Sequence, residues 1–247
     1  MLKFSIITVC YNSEKTIENT IKSVLAQDYP YIEYLIVDGA STDSTISIIE
    51  KYKEGINKVV SERDRGIYDA INKGIALAQG DIVCLLNSDD VYADEKIISR
   101  MAEKFEQFKT DSLFAFIDYV NSDLSRVIRK WRTSNFSPRM FFDGTFPPHP
   151  SFMVKREIYE RYGLYRLDLP LASDFELMLR LLVKEGISTK LVPEVIVKMS
   201  MGGASNVSIK SISKSISQCY KAFKINNINR NLLFIPKTLL FRFKQLL

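Results

Sequence analysis

The sequence predicts an α/β fold on a mostly parallel, Rossmann-like sheet with helices on both faces. Three observations carry this expectation. Short, almost wholly apolar runs recur through the first 90 residues, and a stretch with helical spacing follows each of the first three. Each apolar run ends on polar residues, where ligands bind in an open α/β sheet. Strict alternation of strand and helix implies parallel strands joined by right-handed crossovers.

Taken in order, residues 3–10 read as a strand buried on both faces. Asn12 and Ser13 can cap a helix in which Ile17, Ile21, Val24 and Leu25 recur. Glu33 to Asp38 is a second strand. Ser41, Thr42 and Asp43 open a helix through Ile46, Ile49 and Tyr52. Lys58 to Ser61 is a third strand. Gly66 to Gln79 is a helix with Ile67, Ala70, Ile71 and Ile75 on its apolar face and Gly80 as its stop. Ile82 to Leu86 is the fourth strand, and it leads to Asp89 and Asp90.

The second half is less regular. Strands are expected at Leu113 to Val120 and Arg126 to Arg132, and an extended loop at Pro147, Pro148 and Pro150. Helices are expected over Lys155 to Tyr162 and Ser173 to Lys184. Two short strands, Thr189 to Val192 and Val195 to Met199, precede Gly202 and Gly203. From Val207 the chain reads as helices. One carries Ile209, Ile212, Ile216, Tyr220 and Phe223 as a stripe; the other, after Pro236, carries Leu239, Leu240, Phe243, Leu246 and Leu247.

The chain has 247 residues, 46% of them hydrophobic, ample for one large core. No stretch approaches the roughly 18 apolar residues of a membrane span. The N-terminus runs straight into a strand pattern, so no signal peptide is expected. Cys10, Cys84 and Cys219 are odd in number and widely spaced, which argues against a disulfide framework or zinc site and fits a reducing cytosol. Charge is segregated. No Asp or Glu follows Glu194, whereas residues 195–247 hold nine Lys and Arg; the net +5 of the chain therefore leaves −4 for residues 1–194. An acidic body with a basic tail suggests an anionic surface as partner.

The strand ends gather chemistry. Adjacent carboxylates at Asp89 and Asp90 suit Mg²⁺ or Mn²⁺, hard cations that bridge to phosphates. The other reading is a polar strand-to-helix turn with Asp90 or Asp94 as a cap. Thr8, Tyr11, Asn12, Asp38, Ser41, Asp43, Glu62, Arg65, Asp69 and Asn87 belong to the same sheet edge. Together they could hold a nucleoside diphosphate: Tyr11 flanking a base, Asp38 accepting a base N–H, and Arg65 addressing phosphate or orienting a carboxylate. Taken one by one, these residues are equally ordinary turn and cap residues. A dinucleotide fingerprint, a P-loop and a nucleophile elbow are all missing. His149 is the lone histidine, which excludes histidine-rich metal sites.

Residues 5–12 (SIITVCYN), 36–43 (IVDGASTD), 61–74 (SERDRGIYDAINKG) and the turn Ser88-Asp89-Asp90 resemble family 2 glycosyltransferases of the GT-A fold, within them the enzymes of bacterial cell-surface polysaccharides. The likeness continues more sparsely through His149-Pro150-Ser151-Phe152, residues 172–176 (ASDFE) and residues 202–205 (GGAS). It implies a GT-A catalytic domain over 1–205, with a nucleotide-binding half (1–90) and an acceptor half (91–205), and a basic amphipathic helical appendage over 206–247. Thr8, Tyr11 and Asp38 would line the base pocket, with Asn12, Ser41, Arg65 and Asp69 also on the donor side. Asp89 would face ribose or sugar. Asp90, last in the family's D-x-D-like motif, would bind Mn²⁺ or Mg²⁺, and Asp174 would be the catalytic base, with Glu176 second.

The reaction implied is inverting transfer of a sugar from a nucleoside diphosphate donor, a UDP-sugar first, to a glycan or lipid-linked acceptor. Rivals are a sugar-phosphate nucleotidylyltransferase, whose Gly-rich, Arg-containing loop is missing, and an inactive membrane-associated scaffold. His149 could border the acceptor site or be a backbone-bonded loop histidine. Gly202 and Gly203 are either a loop closing over the diphosphate or a plain turn. Trp131, in a charged strand, is read as packing rather than acceptor stacking. The tail either lies on anionic lipid, making the protein a cytoplasmic, peripheral one on the inner face of the membrane, or packs on protein. Nucleic acid is not expected, since no binding motif is found.

Overall fold

The computed structural model describes residues 1–200 and 209–229. The first half forms the expected order of strands and helices: β1 (Phe4–Cys10), α1 (Ile17–Leu25), β2 (Ile32–Asp38), α2 (Thr45–Glu50), β3 (Lys58–Ser61), α3 (Ile67–Leu77) and β4 (Ile82–Leu85). However, α1 starts after Thr16 and is not capped by Asn12 or Ser13. These four strands are parallel neighbours in the order β3-β2-β1-β4. The largely apolar sequence of β1, β2 and β4 has a simple cause: both faces of these strands are covered, whereas β3 is the exposed edge. Phe4, Ile6, Tyr34 and Ile36 enter one core with α1, and Ile7, Val9, Leu35 and Val37 enter the other with α3. At Gly74 a Cβ would strike the Ile7 side chain, so glycine there lets α3 lie close on β1.

The remaining elements are β5 (Asp90–Tyr92), α4 (Ile97–Phe108), β6 (Ser112–Val120), β7 (Val127–Trp131), α5 (Arg139–Phe142), β8 (Met153–Lys155), α6 (Arg156–Tyr162), α7 (Ser173–Leu179), β9 (Thr189–Ser200) and α8 (Ile209–Ile225). The sheet continues β4-β8-β6-β9-β5, and β7 pairs with β6 as a hairpin arm. Three features go beyond the sequence expectation. β8 inserts antiparallel between the parallel β4 and β6. β9 is one continuous strand that keeps pairing through the Pro193 region by shifting register opposite Ala115 and Phe116. α4 is an additional helix whose buried Ile97, Ile98, Met101, Ala102 and Phe105 face the core. The proline-rich loop closes on a 3₁₀ turn, His149–Ser151.

The described part of the tail, α8, is not a free amphipathic helix. Ile216, Cys219, Ala222 and Phe223 are buried, and Phe223 packs against Phe175 and Phe142. Asn226 bonds to Glu176 at 3.0 Å, and Lys221 pairs with Asp168 at 2.7 Å. Arg166 and Lys221 together hold the Asp168 carboxyl down to about 2. The core thus runs on past residue 206. Gly202, Gly203 and the second tail helix lie outside the described residues. Among the described residues, no helix is long and apolar enough to cross a membrane.

Candidate active site

The carboxyl ends of β1 and β2 are held by a polar network. Cys10 and Asp38 are opposite in register. The Asp38 carboxylate is fully buried; it accepts bonds from the Ser41 N–H at 2.9 Å, the Ser61 hydroxyl at 2.6 Å and the Ser41 hydroxyl. Ser41 in turn accepts the Asn12 N–H at 2.8 Å, and the Asn12 side chain accepts the Thr42 N–H at 2.9 Å. Asn12 and Ala40 both hold left-handed φ, 49° and 62°, which the network keeps in place. Tyr11 projects from this edge, 62% exposed. Thr8 does not reach solvent: it is fully buried, 3.1 Å from the Tyr34 hydroxyl. Cys10 and Cys84 are buried thiols, and burial pushes both well above the ordinary range.

Arg65 opens α3. Its backbone N–H and guanidinium both bind Asp69, at 3.1 and 3.0 Å, and hold that carboxyl below its usual range. The Arg65 side chain as a whole is 76% exposed. Asp64 reaches back to Gly39, where a Cβ would sit 2.5 Å from its carboxylate oxygen; glycine makes that approach feasible.

Asp90 is the most unusual group on this edge. It starts β5, so the helix-cap reading does not hold for it; Asp94 instead accepts the Lys96 N–H at 2.8 Å just ahead of α4. Asp90 is fully buried; its Oδ2 accepts the Asn87 amide at 3.2 Å, and the Ser200 backbone N–H is also turned toward the carboxyl. Among the described residues, its buried Oδ1 has no hydrogen-bond partner. Burial, with Asp89 beside it, pushes its carboxyl well above the usual carboxylate range, and burial raises Asp89 too. A buried carboxylate oxygen without a partner fits a divalent cation that takes its other ligands from phosphate and water. Among the described residues, no three His, Cys, Asp or Glu side chains form a metal cage by themselves.

Across the edge, α7 presents Asp174. Its Oδ1 accepts the Tyr68 hydroxyl at 3.3 Å and the Phe175 N–H at 2.8 Å. Its Oδ2 lies 3.4 Å from Nδ1 of His149, whose ring nitrogen makes no formed hydrogen bond. His149 is therefore a side-chain neighbour of Asp174. Burial, then Asp174, pushes the Tyr68 phenol up, which keeps it a donor. Glu176 is not part of this group. It is 1% exposed and committed to Arg180 at 3.0 Å and to Asn226. No role was expected for Tyr68; its signal lay inside the 61–74 segment, two residues after Gly66, the expected start of α3.

A family model described as Glycosyl transferase family 2 matches residues 5–163. The chain belongs to this family. An uncharacterized glycosyltransferase of Mycobacterium tuberculosis, Rv1514c, is 31% identical over 195 residues, 76% of this chain and 72% of that protein. TarS of Staphylococcus aureus, a poly(ribitol-phosphate) beta-N-acetylglucosaminyltransferase, is 33% identical over 164 residues, 64% of this chain but 26% of TarS. In structure, TarS 1–349 in complex with UDP matches with a TM-score of 0.69 at 20% identity, over 96% of this chain and 68% of that one. The mannosyltransferase PcManGT from Pyrobaculum calidifontis, in complex with GDP-Man and Mn²⁺, matches with a TM-score of 0.66 at 19% identity, over 96% of this chain and 68% of that one. These likenesses show the GT-A fold that the sequence resembles.

Proposed function

We propose that this family 2 glycosyltransferase moves a sugar from a nucleoside diphosphate donor, a UDP-sugar first, to a hydroxyl of a glycan or lipid-linked acceptor in surface polysaccharide synthesis. One observation carries the reading: the fully buried Asp90, with a partnerless carboxylate oxygen, at the carboxyl edge of the sheet. The UDP in the TarS complex supports the donor, and the Mn²⁺ with PcManGT supports a cation at Asp90. When bound there, Mn²⁺ or Mg²⁺ offsets negative charge on the diphosphate.

The residues divide the task. Tyr11 flanks the base, and Asp38, fixed by Ser41 and Ser61, shapes the base pocket with Asn12. Thr8 supports that wall from beneath. Asp69 aims Arg65 toward phosphate, and Asp89 faces the ribose or sugar. Asp174 is the base. Tyr68 and the Phe175 N–H occupy its Oδ1, which leaves Oδ2 to take the acceptor proton. As the proton moves to Asp174, the acceptor oxygen bonds to the anomeric carbon. The anomeric C–O bond breaks on the opposite face, its electron pair leaves with the nucleoside diphosphate, and the configuration inverts. A peripheral position on the inner membrane face is supported by the exposed Lys214 and Lys224 of α8, and liposome flotation of the chain with both residues changed to Glu tests it.

The deciding experiment is melting temperature against UDP, GDP, dTDP and CDP, with and without Mn²⁺. A shift with UDP that needs Mn²⁺ and vanishes in Asp90→Ala is expected. No shift with any nucleotide sinks the transferase reading and favours an inactive scaffold.

A further inference from the structure

On the acceptor side a separate cleft of about 420 Å³ opens between β7, α5 and the loop that follows. Half-buried Trp131 and Phe146 form its apolar wall, edge to face with centroids 5.9 Å apart. Thr133 and Thr145 bring hydroxyls, and Arg139 with Asp143, 3.3 Å apart, brings a donor fork and an acceptor side by side. Its size falls in the usual range for small-ligand sites, about 300–1,000 Å³. An aromatic face for the C–H side of a pyranose ring, rimmed by groups that pair with hydroxyls, is the lining a sugar needs. The cations of this cleft are matched by carboxylates, Arg139 by Asp143 and Arg132 by Asp118 at 2.6 Å, so the lining suits a neutral ring better than a phosphate.

The position of the cleft says which ring. Neither His149 nor Asp174 lines it. Yet both rings of its wall touch His149, Trp131 at 6.1 Å and Phe146 at 6.2 Å between centroids, and His149 faces Asp174 at 3.4 Å. A sugar seated there neighbours the transfer point but cannot offer its own hydroxyl to Asp174.

We infer that the cleft binds the acceptor unit next to the one being glycosylated, and that the acceptor is a chain of at least two sugar units. This inference rests on the transferase reading above. It also revises the packing role expected for Trp131. Binding energy from such a remote, unreacting unit is realised at the reacting centre, so a truncated acceptor loses kcat as well as affinity.

Trp131 is the only tryptophan of the chain and reports on its own cleft. With UDP and Mn²⁺ present, its emission is titrated with glucose, galactose and N-acetylglucosamine, and with their β1,4-linked di-, tri- and tetrasaccharides. Saturable change is expected with at least one oligosaccharide series, with affinity about tenfold or more above its monosaccharide. By calorimetry, Trp131→Ala should weaken that oligosaccharide about tenfold, while Trp131→Phe, which keeps an aromatic face, should stay within about threefold. Both variants should keep the wild-type melting shift with UDP. A wild-type protein that responds to UDP but to no oligosaccharide, or that binds one unit as well as four, overturns the inference alone. A wild-type protein that gives no UDP shift overturns the transferase reading, and the role of the cleft falls with it.

Discussion

The two sides of the site are held in different ways. On the proposed donor side, the ends of β1 and β2 are fixed by short polar bonds among Asn12, Asp38, Ser41, Thr42 and Ser61. On the proposed acceptor side, Asp174 takes two hydrogen bonds, from Tyr68 and the Phe175 N–H, but the frame around it is aromatic packing. His149 lies against Trp131 and Phe146, Phe146 and Phe175 meet at 5.6 Å, and Phe175 rests on Phe223 of α8. A polar network fixes direction, and a nucleoside diphosphate presents many directional groups. Packed rings fix position and leave a rim free to vary, which suits an acceptor chosen by shape. One carboxylate at the sheet edge stands outside the polar network, the buried Asp90, whose Oδ1 has no hydrogen-bond partner among the described residues.

The comparison can be broken most strongly at Asp174. Asp174→Asn should cut kcat by about 10²–10⁴-fold, with the melting shift for UDP retained, because the donor side does not depend on it. Retained turnover in that variant would remove the base assignment. The next effect lies in the packed side. Phe223→Ala should cost roughly 3–5 kcal/mol of stability by leaving a cavity under Phe175. A urea midpoint unchanged from wild type would mean that α8 is only an appendage.

Asp90→Asn tests the donor side through pH. Burial and Asp89 raise the folded-state carboxyl above its unfolded value of about 3.9. The stability this contributes is fully present below that value and is lost as pH rises through the folded one. Without metal, wild type should therefore fall behind Asp90→Asn as pH is raised above about 4, by roughly 1–3 kcal/mol at neutral pH. Melting curves in EDTA from pH 4 to 8 that stay parallel for the two proteins would contradict this. Tyr68→Phe removes one bond to Asp174, worth about 1 kcal/mol, so kcat should fall roughly fivefold with KM unchanged. A KM effect instead would make Tyr68 a binding residue. The smallest stability effect is expected for Arg65→Ala. Its exposed pair with Asp69 contributes no more than about 0.5 kcal/mol, and the change should register chiefly as weaker UDP binding.

Much of this was legible in the sequence, and the reason lies in the length of the signals. β1 to β4 and their helices each carry a full period of apolar residues, so local pattern alone marks them. The motifs around Asp38, Arg65 and Asp90 lie on or beside these same segments, whereas Asp174 belongs to the sparser likeness of the second half. β5 and β8 have three residues each, too few to show a period, and their pairing partners are remote in sequence. Tertiary structure alone decided that Asp90 begins a strand, that Thr8 turns into the core and that Glu176 spends its charge on Arg180. It alone brought Tyr68, His149 and Asp174 together and set Trp131 against a cleft. Sequence fixes what each segment buries along its own axis. Which side chains meet across the sheet depends on the register of β8, β6 and β9, and that is settled only when every face of the core is filled at once.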